Sequence, residues 1–118
     1  MSFALSRIII FTPNFGRMAN FYRDVIGLHA RSEDDGWIEF GAGECSIALH
    51  RWDGDAPEGP VKIVFWSDDV ARDRELLLSR GADMGDLVSY GPIDLCDGSD
   101  PDGNAFQLSS RPRVRGLS

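Results

Sequence analysis

The fold of this chain is decided by the stretch MANFYRDVIGL at residues 18–28. Its apolar side chains recur with the i, i+3, i+4, i+7, i+8 spacing of a helix that has one apolar face. They are Met18, Phe21, Tyr22, Val25 and Ile26. Gly27 stands where a residue in the left-handed conformation commonly ends a helix. The stretch therefore predicts an amphipathic helix that is buried on one side.

Strand-like sequences lie on both sides of this helix. Residues 7–11 are rich in branched and aromatic side chains and predict a strand before it. Three shorter strands are predicted after it, with turn-forming residues between them. They lie around residues 28–31, 37–40 and 46–50.

The same order of elements recurs after a linker-like stretch at residues 53–60, which is dense in Gly, Pro and acidic residues. Residues 61–66 predict a strand. Asp68 or Asp69 can cap a following helix, and Gly81 can end it. Three further strands are predicted near residues 87–90, 93–96 and 105–109.

This order predicts two β-α-β-β-β units, at about residues 4–52 and 61–110, followed by a tail at 111–118 that is expected to be frayed. At 118 residues the chain is long enough for one core and short of the usual two-domain length. We therefore interpret residues 1–118 as a single domain of the α+β class.

The composition argues against nucleic acid and membrane partners. Twelve Lys and Arg residues against nineteen Asp and Glu residues give a net charge of -7, which disfavours phosphate backbones and anionic membranes. No apolar run approaches the roughly 20 residues of a membrane span, and the N-terminus lacks the pattern of a signal peptide. We therefore expect a cytoplasmic protein. Cys45 and Cys96 are far apart in sequence and are expected to be small core residues.

The closing turn DPDGN at residues 100–104 completes an ordered set of motifs that includes FYRDVIGL at residues 21–28 and the two strand-helix pairs. Together, from about Leu5 to Leu108, these motifs resemble the vicinal oxygen chelate superfamily. That superfamily includes glyoxalase I, extradiol dioxygenases, fosfomycin-resistance transferases and bleomycin-resistance proteins. The resemblance implies two units whose mixed sheets curl around a shared cavity. It also implies a homodimer, because family members of this length are commonly homodimers.

The resemblance places the usual metal ligands of the family at four positions of this chain. Arg7 stands where a first-strand His is expected, and Lys62 stands where a fifth-strand His is expected. Ala48 replaces a fourth-strand carboxylate, and Gln107 replaces the closing Glu. A guanidinium and an ammonium repel a divalent cation, and an amide is a weak oxygen donor. We therefore expect no bound metal and no cofactor.

Strand alternation within the implied fold assigns side chains to the cavity. Neighbours along a strand point to opposite faces, so one set packs on the helix and the other set faces a ligand. The predicted ligand-binding residues are Arg7, Phe11, Ala48, His50, Lys62, Trp66 and Gln107. The expected partner is accordingly a small molecule.

Two side chains near these positions are candidates for catalysis. His50 is the only histidine on the predicted cavity face, and it can act as a general acid or base, bind a ligand, or simply end a strand near water. Glu39 faces the same way if its strand neighbours are core. Glu39 can also pair with Arg7 or Lys62 and neutralise them. The alternative is that both cations stay free to hold an anionic group.

Two classes of function remain open. The first is a metal-free protein that binds or sequesters a small molecule, as in the bleomycin-resistance branch. The second is a lyase, an isomerase or a dioxygenase-type enzyme that uses the same cavity. A partner-binding module with an unused cavity is a third option. The missing ligand set favours the first class, whereas His50 and Glu39 keep the second in consideration.

Overall fold

The computed structural model describes residue 5, residues 7–55 and residues 61–112. These residues divide into two compact units, one up to residue 55 and one from residue 61. Each unit contains a four-stranded mixed sheet and one helical region. The predicted α+β class with two β-α-β-β-β units is therefore confirmed.

The first unit has its elements in the predicted order. They are β1 (Arg7–Thr12), α1 (Phe15–Asn20), β2 (His29–Asp34), β3 (Trp37–Ala42) and β4 (Cys45–Arg51). The strands lie in the order β1-β4-β3-β2. β1 is parallel to β4, and the other neighbours are antiparallel.

The second unit has the same topology. Its elements are β5 (Ile63–Trp66), α2 (Val70–Ser79), β6 (Asp83–Tyr90), β7 (Ile93–Ser99) and β8 (Ala105–Ser109). The strands lie in the order β5-β8-β7-β6, with β5 parallel to β8. The repeat predicted from the order of elements is therefore also a repeat of strand pairing.

The first helical region begins before its apolar stretch and changes geometry along its length. After α1, Phe21–Val25 forms a π-helical turn, in which the Ile26 amide donates to the Phe21 carbonyl at 3.0 Å. Gly27 then adopts a φ of 91° and ends the helix, as its position predicts. Tyr22 on the apolar face is only 1% exposed. The helix is thus buried on the side that the spacing indicates.

The second helix uses the second of its two candidate caps. The Asp69 side chain accepts a hydrogen bond from the Arg72 amide at 3.0 Å, whereas Asp68 pairs with the Arg72 guanidinium at 2.8 Å. Gly81, with a φ of 88°, follows the last turn. The cap satisfies one of the amides that the first turn of a helix leaves without a partner.

One face of each sheet is buried, and the opposite face, which we call the open face, is partly exposed. In the first unit the buried side chains of β3 and β4 are at most 2% exposed. They include Ile38, Phe40, Ile47 and Leu49. In the second unit the buried side chains include Cys96, Phe106 and Leu108, which are at most 6% exposed. Because side chains alternate along a strand, the residues between them belong to the opposite face.

A bulge interrupts the strand that follows each helix. The register shifts between Ala30 and Ser32 in β2 and between Met84 and Leu87 in β6. Bulges bend a strand and break its alternation. β6 begins at Asp83, whereas the sequence predicts a start near residue 87. The difference arises because the bulge interrupts the alternating pattern before Leu87.

Four predictions about the whole chain are not tested by these elements. Residues 56–60 of the predicted linker and residues 113–118 of the predicted tail lie outside the described residues. The single domain and the shared cavity stay predictions. Neither helix in the described part of the chain has the length and apolar character that a transmembrane segment requires.

The turn between β7 and β8 is organised by one buried carboxylate. Asp100 is only 5% exposed, and its Oδ1 accepts from the amides of Asp102 and Asn104 at 3.0 and 2.9 Å. Its Oδ2 accepts from the Asn104 side-chain amide at 2.9 Å. Gly103 adopts a φ of 84°, which an L side chain rarely does. The turn therefore delivers β8 beside β7 through contacts that are specific to its residue types.

We expect Asp100→Ala to lower the free energy of unfolding by about 2–4 kcal/mol, because it removes hydrogen bonds to a charged acceptor at a buried position. Urea denaturation of the wild type and the variant measures this. Asp53→Ala, at an exposed position shortly after β4, is the matched control. It should change the free energy of unfolding by less than about 0.5 kcal/mol. Equal effects of the two substitutions would contradict the role of Asp100.

Candidate functional site

The open face of the first sheet carries the residues that strand alternation predicts. In β1, Arg7, Ile9 and Phe11 are exposed, whereas Ile8 and Ile10 between them are half-buried. Cross-strand partners in a ladder share a face, and Phe11 is paired with His50 of β4. The predicted open-face positions of β1 and β4 therefore lie side by side.

Arg7 is neutralised by an acidic residue on the same face. Its Nε lies 3.0 Å from Glu39 Oε1, and the hydroxyl of Ser46 donates to Glu39 Oε2 at 2.5 Å. The Glu39 side chain is only 16% exposed. The hydrogen bond from Ser46, followed by the one from Arg7, holds the pKa of Glu39 below its ordinary value. Of the two alternatives for Arg7, the structure supports the ion pair with Glu39.

Ala48 and His50 occupy the same face of β4 but differ in exposure and in polarity. Ala48 is fully buried and contributes no polar group. His50 is exposed, and its Nδ1 lies 2.8 Å from the carbonyl oxygen of Arg51. Its ring centroid is 5.4 Å from that of Phe11 and 5.9 Å from that of Trp37. The His50 ring is thus held in place by one backbone contact and two neighbouring rings.

Lys62 and Gln107 in the second unit are joined by a residue that the sequence does not single out. This residue is Asp97 on β7. Lys62 Nζ donates to both carboxylate oxygens of Asp97 at 3.1 Å, and the Gln107 side-chain amide donates to Asp97 Oδ1 at 2.9 Å. The hydrogen bond from Gln107 lowers the pKa of Asp97, and the Lys62 ammonium lowers it further. Lys62 is therefore paired with Asp97. Glu39, the partner that the sequence suggests for Lys62, is paired with Arg7.

Lys62, Asp97 and Gln107 form the polar end of a groove on the open face of the second sheet. The groove has a volume of about 400 Å³. Its apolar wall consists of Val88, Tyr90 and Leu95. Gly85 and Asp86, at the bulge of β6, also line it. Tyr90 is 66% exposed and Val88 is 43% exposed, so the wall is accessible to solvent.

Trp66 lies on the same sheet outside the lining of this groove. It is 50% exposed and is paired with Ser109 of β8. Val64, two residues earlier, is 55% exposed and is paired with Gln107. The two side chains form an exposed apolar strip on β5, which is an edge strand of its sheet.

The two cysteines have separate environments and form no disulfide. Cys96 is buried as predicted, and its thiol donates to the Gly85 carbonyl at 3.3 Å. Burial raises the pKa of the Cys96 thiol, which keeps it protonated. Cys45 is half-buried at the start of β4. Cys96 is accordingly a core residue.

The residues present do not fit the divalent metal that the resemblance implies. Within the described residues, no group of three or more His, Cys, Asp or Glu side chains is arranged to hold a metal ion. At the four family positions the chain supplies a guanidinium, a methyl group, an ammonium and an amide. A cation is repelled by the first and the third.

The chain belongs to the family of the glyoxalase-like domain, whose model matches residues 7–109. The resemblance to the vicinal oxygen chelate superfamily is thereby confirmed. A search of curated proteins found no match.

Solved structures share the fold at low sequence identity. One is TnmS3, an antibiotic binding protein from Streptomyces sp. CB03234, with 22% identity, a TM-score of 0.79, and coverage of 92% of this chain and 96% of that chain. Another is lactoylglutathione lyase from Agrobacterium tumefaciens, with 18% identity, a TM-score of 0.75, and coverage of 90% and 92%. A glyoxalase/bleomycin resistance protein from Streptomyces sp. CB03234 has 21% identity, a TM-score of 0.73, and coverage of 89% and 98%. These likenesses show the fold and include both a binding protein and an enzyme.

The predicted ligand-binding residues thus fall into two groups that the structure describes separately. Arg7, Phe11, Ala48 and His50 lie on the open face of the first sheet, and Lys62, Trp66 and Gln107 belong to the second unit. That these residues bind a ligand stays a prediction. Sequence reasoning missed Asp97. The predicted strand ends at residue 96, and extending it by one residue places the acidic Asp97 on the same face as Leu95, which was a usable signal.

We expect the Arg7–Glu39–Ser46 contacts to make stability depend on pH. The pKa of Glu39 is lower in the folded protein than in the unfolded chain, so its contribution is present above the ordinary carboxyl pKa and is lost as the pH falls through the lowered pKa. Glu39→Gln should therefore melt below the wild type at neutral pH, and the gap should narrow in acid. Thermal melts between about pH 2 and pH 7 measure this.

The control is Glu44→Gln, which removes one exposed carboxyl in the turn before β4 and has no hydrogen bond or ion pair among the described residues. It separates loss of the contacts from loss of one negative charge. A gap between Glu39→Gln and the wild type that stays constant across the pH range would show that ionisation of Glu39 is not the cause.

Proposed function

We propose that this protein binds a small molecule at the open faces of its sheets and that its function is this binding. The observation that carries the proposal is the groove of the second unit, in which the Lys62–Asp97–Gln107 cluster stands beside an exposed apolar wall. Small-molecule sites typically have volumes of about 300–1,000 Å³ and combine apolar walls with a few convergent polar groups. The groove has this size and this composition.

The apolar wall supplies the driving force for binding. Tyr90 and Val88 expose side chains that a ligand would remove from water, and burial of apolar surface contributes about 25 cal/mol per Å². A ring that covers Tyr90 also gains the preferred geometries of aromatic pairs. The wall therefore favours a ligand with an apolar or aromatic body.

The polar end determines which charge the ligand carries. Lys62 is the cation among the lining residues, and it is opposed by two carboxylates, Asp97 and Asp86. With Lys62 paired to Asp97, the remaining formal charge of the lining is negative. We therefore propose a neutral or cationic ligand. The idea that free cations hold an anion loses its support, because Arg7 is also paired.

The likeness to a protein described as antibiotic binding supports this proposal by analogy of fold. The second candidate function is a lyase, isomerase or dioxygenase-type reaction, and one observation favours it. His50 is exposed on an open sheet face, and its Nε2 has no partner among the described residues. A histidine in that state can exchange a proton with a bound molecule. Glu39 is less suited to this role because both of its oxygens are engaged.

We expect the groove to prefer a cationic over an anionic ligand of the same body. Calorimetric titration with tryptamine, tryptophol and indole-3-acetate tests this, because the three share a ring and differ in charge. Tyr90→Ala should weaken the binding of tryptamine about tenfold through loss of ring contact. Leu76→Ala, at an exposed apolar position on α2, is the control. Preferential binding of indole-3-acetate, or unchanged binding by Tyr90→Ala, would overturn the proposal.

We also expect no stoichiometric divalent metal in the purified protein, because the four family positions supply no imidazole, thiolate or carboxylate to coordinate it. Elemental analysis measures this directly. The double variant Lys62→His, Gln107→Glu is the positive control. Its two new side chains stand near Asp97, so this variant should retain zinc.

Formation of S-lactoylglutathione at a rate that depends on His50 would instead favour the enzyme, which is the second candidate function.

We propose that the protein is a homodimer. Within the described residues the first sheet ends in β1 and β2, and the second sheet ends in β5 and β6. Edge strands of a sheet can offer backbone groups for pairing with another chain. β5 also exposes Val64 and Trp66. Two-fold dimers are the commonest closed homo-oligomers, and pairing between copies can cover such features. Sedimentation that reports a monomer across the micromolar range would contradict this.

A further inference from the structure

Four aromatic side chains form a continuous row on the open face of the first sheet. We call this set the aromatic row, and in spatial order it consists of Trp37, His50, Phe11 and Trp52. Successive ring centroids are 5.9, 5.4 and 5.7 Å apart. The row crosses three neighbouring strands, because His50 of β4 is paired with Trp37 of β3 on one side and with Phe11 of β1 on the other.

The aromatic row leaves much of its apolar surface open. Phe11 is 42% exposed and Trp52 is 44% exposed, and His50 is exposed as well. Ile9, two residues before Phe11 on the same face, is 42% exposed and extends the apolar surface toward the Arg7–Glu39 pair. Exposed aromatic surface that is contiguous is unusual on a folded domain and commonly marks a site of recognition.

The hydrogen bond of His50 fixes which ring nitrogen can serve a ligand. Its Nδ1 lies 2.8 Å from the carbonyl oxygen of Arg51, and a carbonyl oxygen only accepts. In the neutral ring the proton is therefore on Nδ1, and Nε2 presents a lone pair. No hydrogen bond to Nε2 occurs within the described part of the chain. The middle of the aromatic row thus carries one acceptor among apolar rings.

We infer that the aromatic row is a ligand subsite that takes a flat aromatic group bearing a hydrogen-bond donor, such as a phenolic hydroxyl. The ring stacks on or against Phe11 and Trp52, and the donor binds Nε2 of His50. This inference deepens the proposed function by naming the chemical class of the ligand. It is a second contact region besides the groove of the second unit, and neither requires the other.

A matched pair of neutral probes tests the inference. 2-Naphthol carries a hydroxyl donor, and 2-methoxynaphthalene has the same ring system without the donor. Ligand-observed NMR titrations at about pH 8, where an ordinary imidazole is neutral, measure both affinities. The wild type should bind 2-naphthol about three- to tenfold more tightly, which is the effect of one hydrogen bond.

Three variants separate the contributions of the aromatic row. Trp52→Ala and Phe11→Ala should each weaken both probes about tenfold, because each removes one ring from the contact. His50→Phe keeps an aromatic ring and removes the acceptor, so it should bring the ratio of the two affinities to about one while 2-methoxynaphthalene still binds. All three positions are exposed, and thermal melts check that each variant folds.

The outcomes distinguish this inference from the proposed function. Wild-type affinities for both probes in Trp52→Ala and Phe11→Ala would overturn the aromatic row as a subsite. A preference for 2-naphthol that survives in His50→Phe would overturn the role of Nε2. Loss of binding in Tyr90→Ala alone would place the probes in the groove, which refutes the inference and leaves the proposed function standing. Failure of tryptamine to bind would independently refute the proposed function.

Discussion

The structure depends on the burial of one face of each four-stranded sheet. Ile38, Phe40 and Leu49 are at most 2% exposed, and burial of an apolar side chain of this size contributes roughly 1.5–3 kcal/mol. Ion pairs between exposed side chains generally contribute about 0–1 kcal/mol. The buried face therefore fixes the strand register, since a slip by one residue would turn every apolar side chain toward water. The polar and aromatic groups of the open face have positions that this register determines.

A consequence of the shared topology is that both units repeat one polar arrangement. In the first unit Arg7 of β1, Glu39 of β3 and Ser46 of β4 are in contact. In the second unit Lys62 before β5, Asp97 of β7 and Gln107 of β8 are in contact. Each set combines a cation, a carboxylate and a neutral donor, drawn from corresponding parts of the unit. Each set is therefore neutral as a whole, although every member differs between the units.

The sequence was sufficient for the order of elements and for the alternation of faces, because both depend on local periodicity. Gly27, Asp69 and Gly81 ended or capped their helices as their residue types predict. The start of β6 was misjudged because the bulge after Met84 breaks the alternation. Contacts between strands were harder to predict. The partner of Lys62 is 35 positions away in the sequence, and only the pairing of β7 with β8 brings Asp97 beside Gln107.

Both carboxylates of these arrangements are poorly suited to act as bases. The lowered pKa values of Glu39 and Asp97 reflect hydrogen bonds that stabilise the charged form, and a carboxylate that is stabilised in this way takes up a proton less readily. To bind a ligand through them, the protein would have to exchange existing contacts for new ones at little net gain. The surfaces that gain most from a ligand are those without such compensation, namely the exposed rings and aliphatic side chains. Under the proposed function, recognition would therefore be governed by apolar contact, and His50 and the Lys62–Asp97–Gln107 cluster would select among ligands of similar shape.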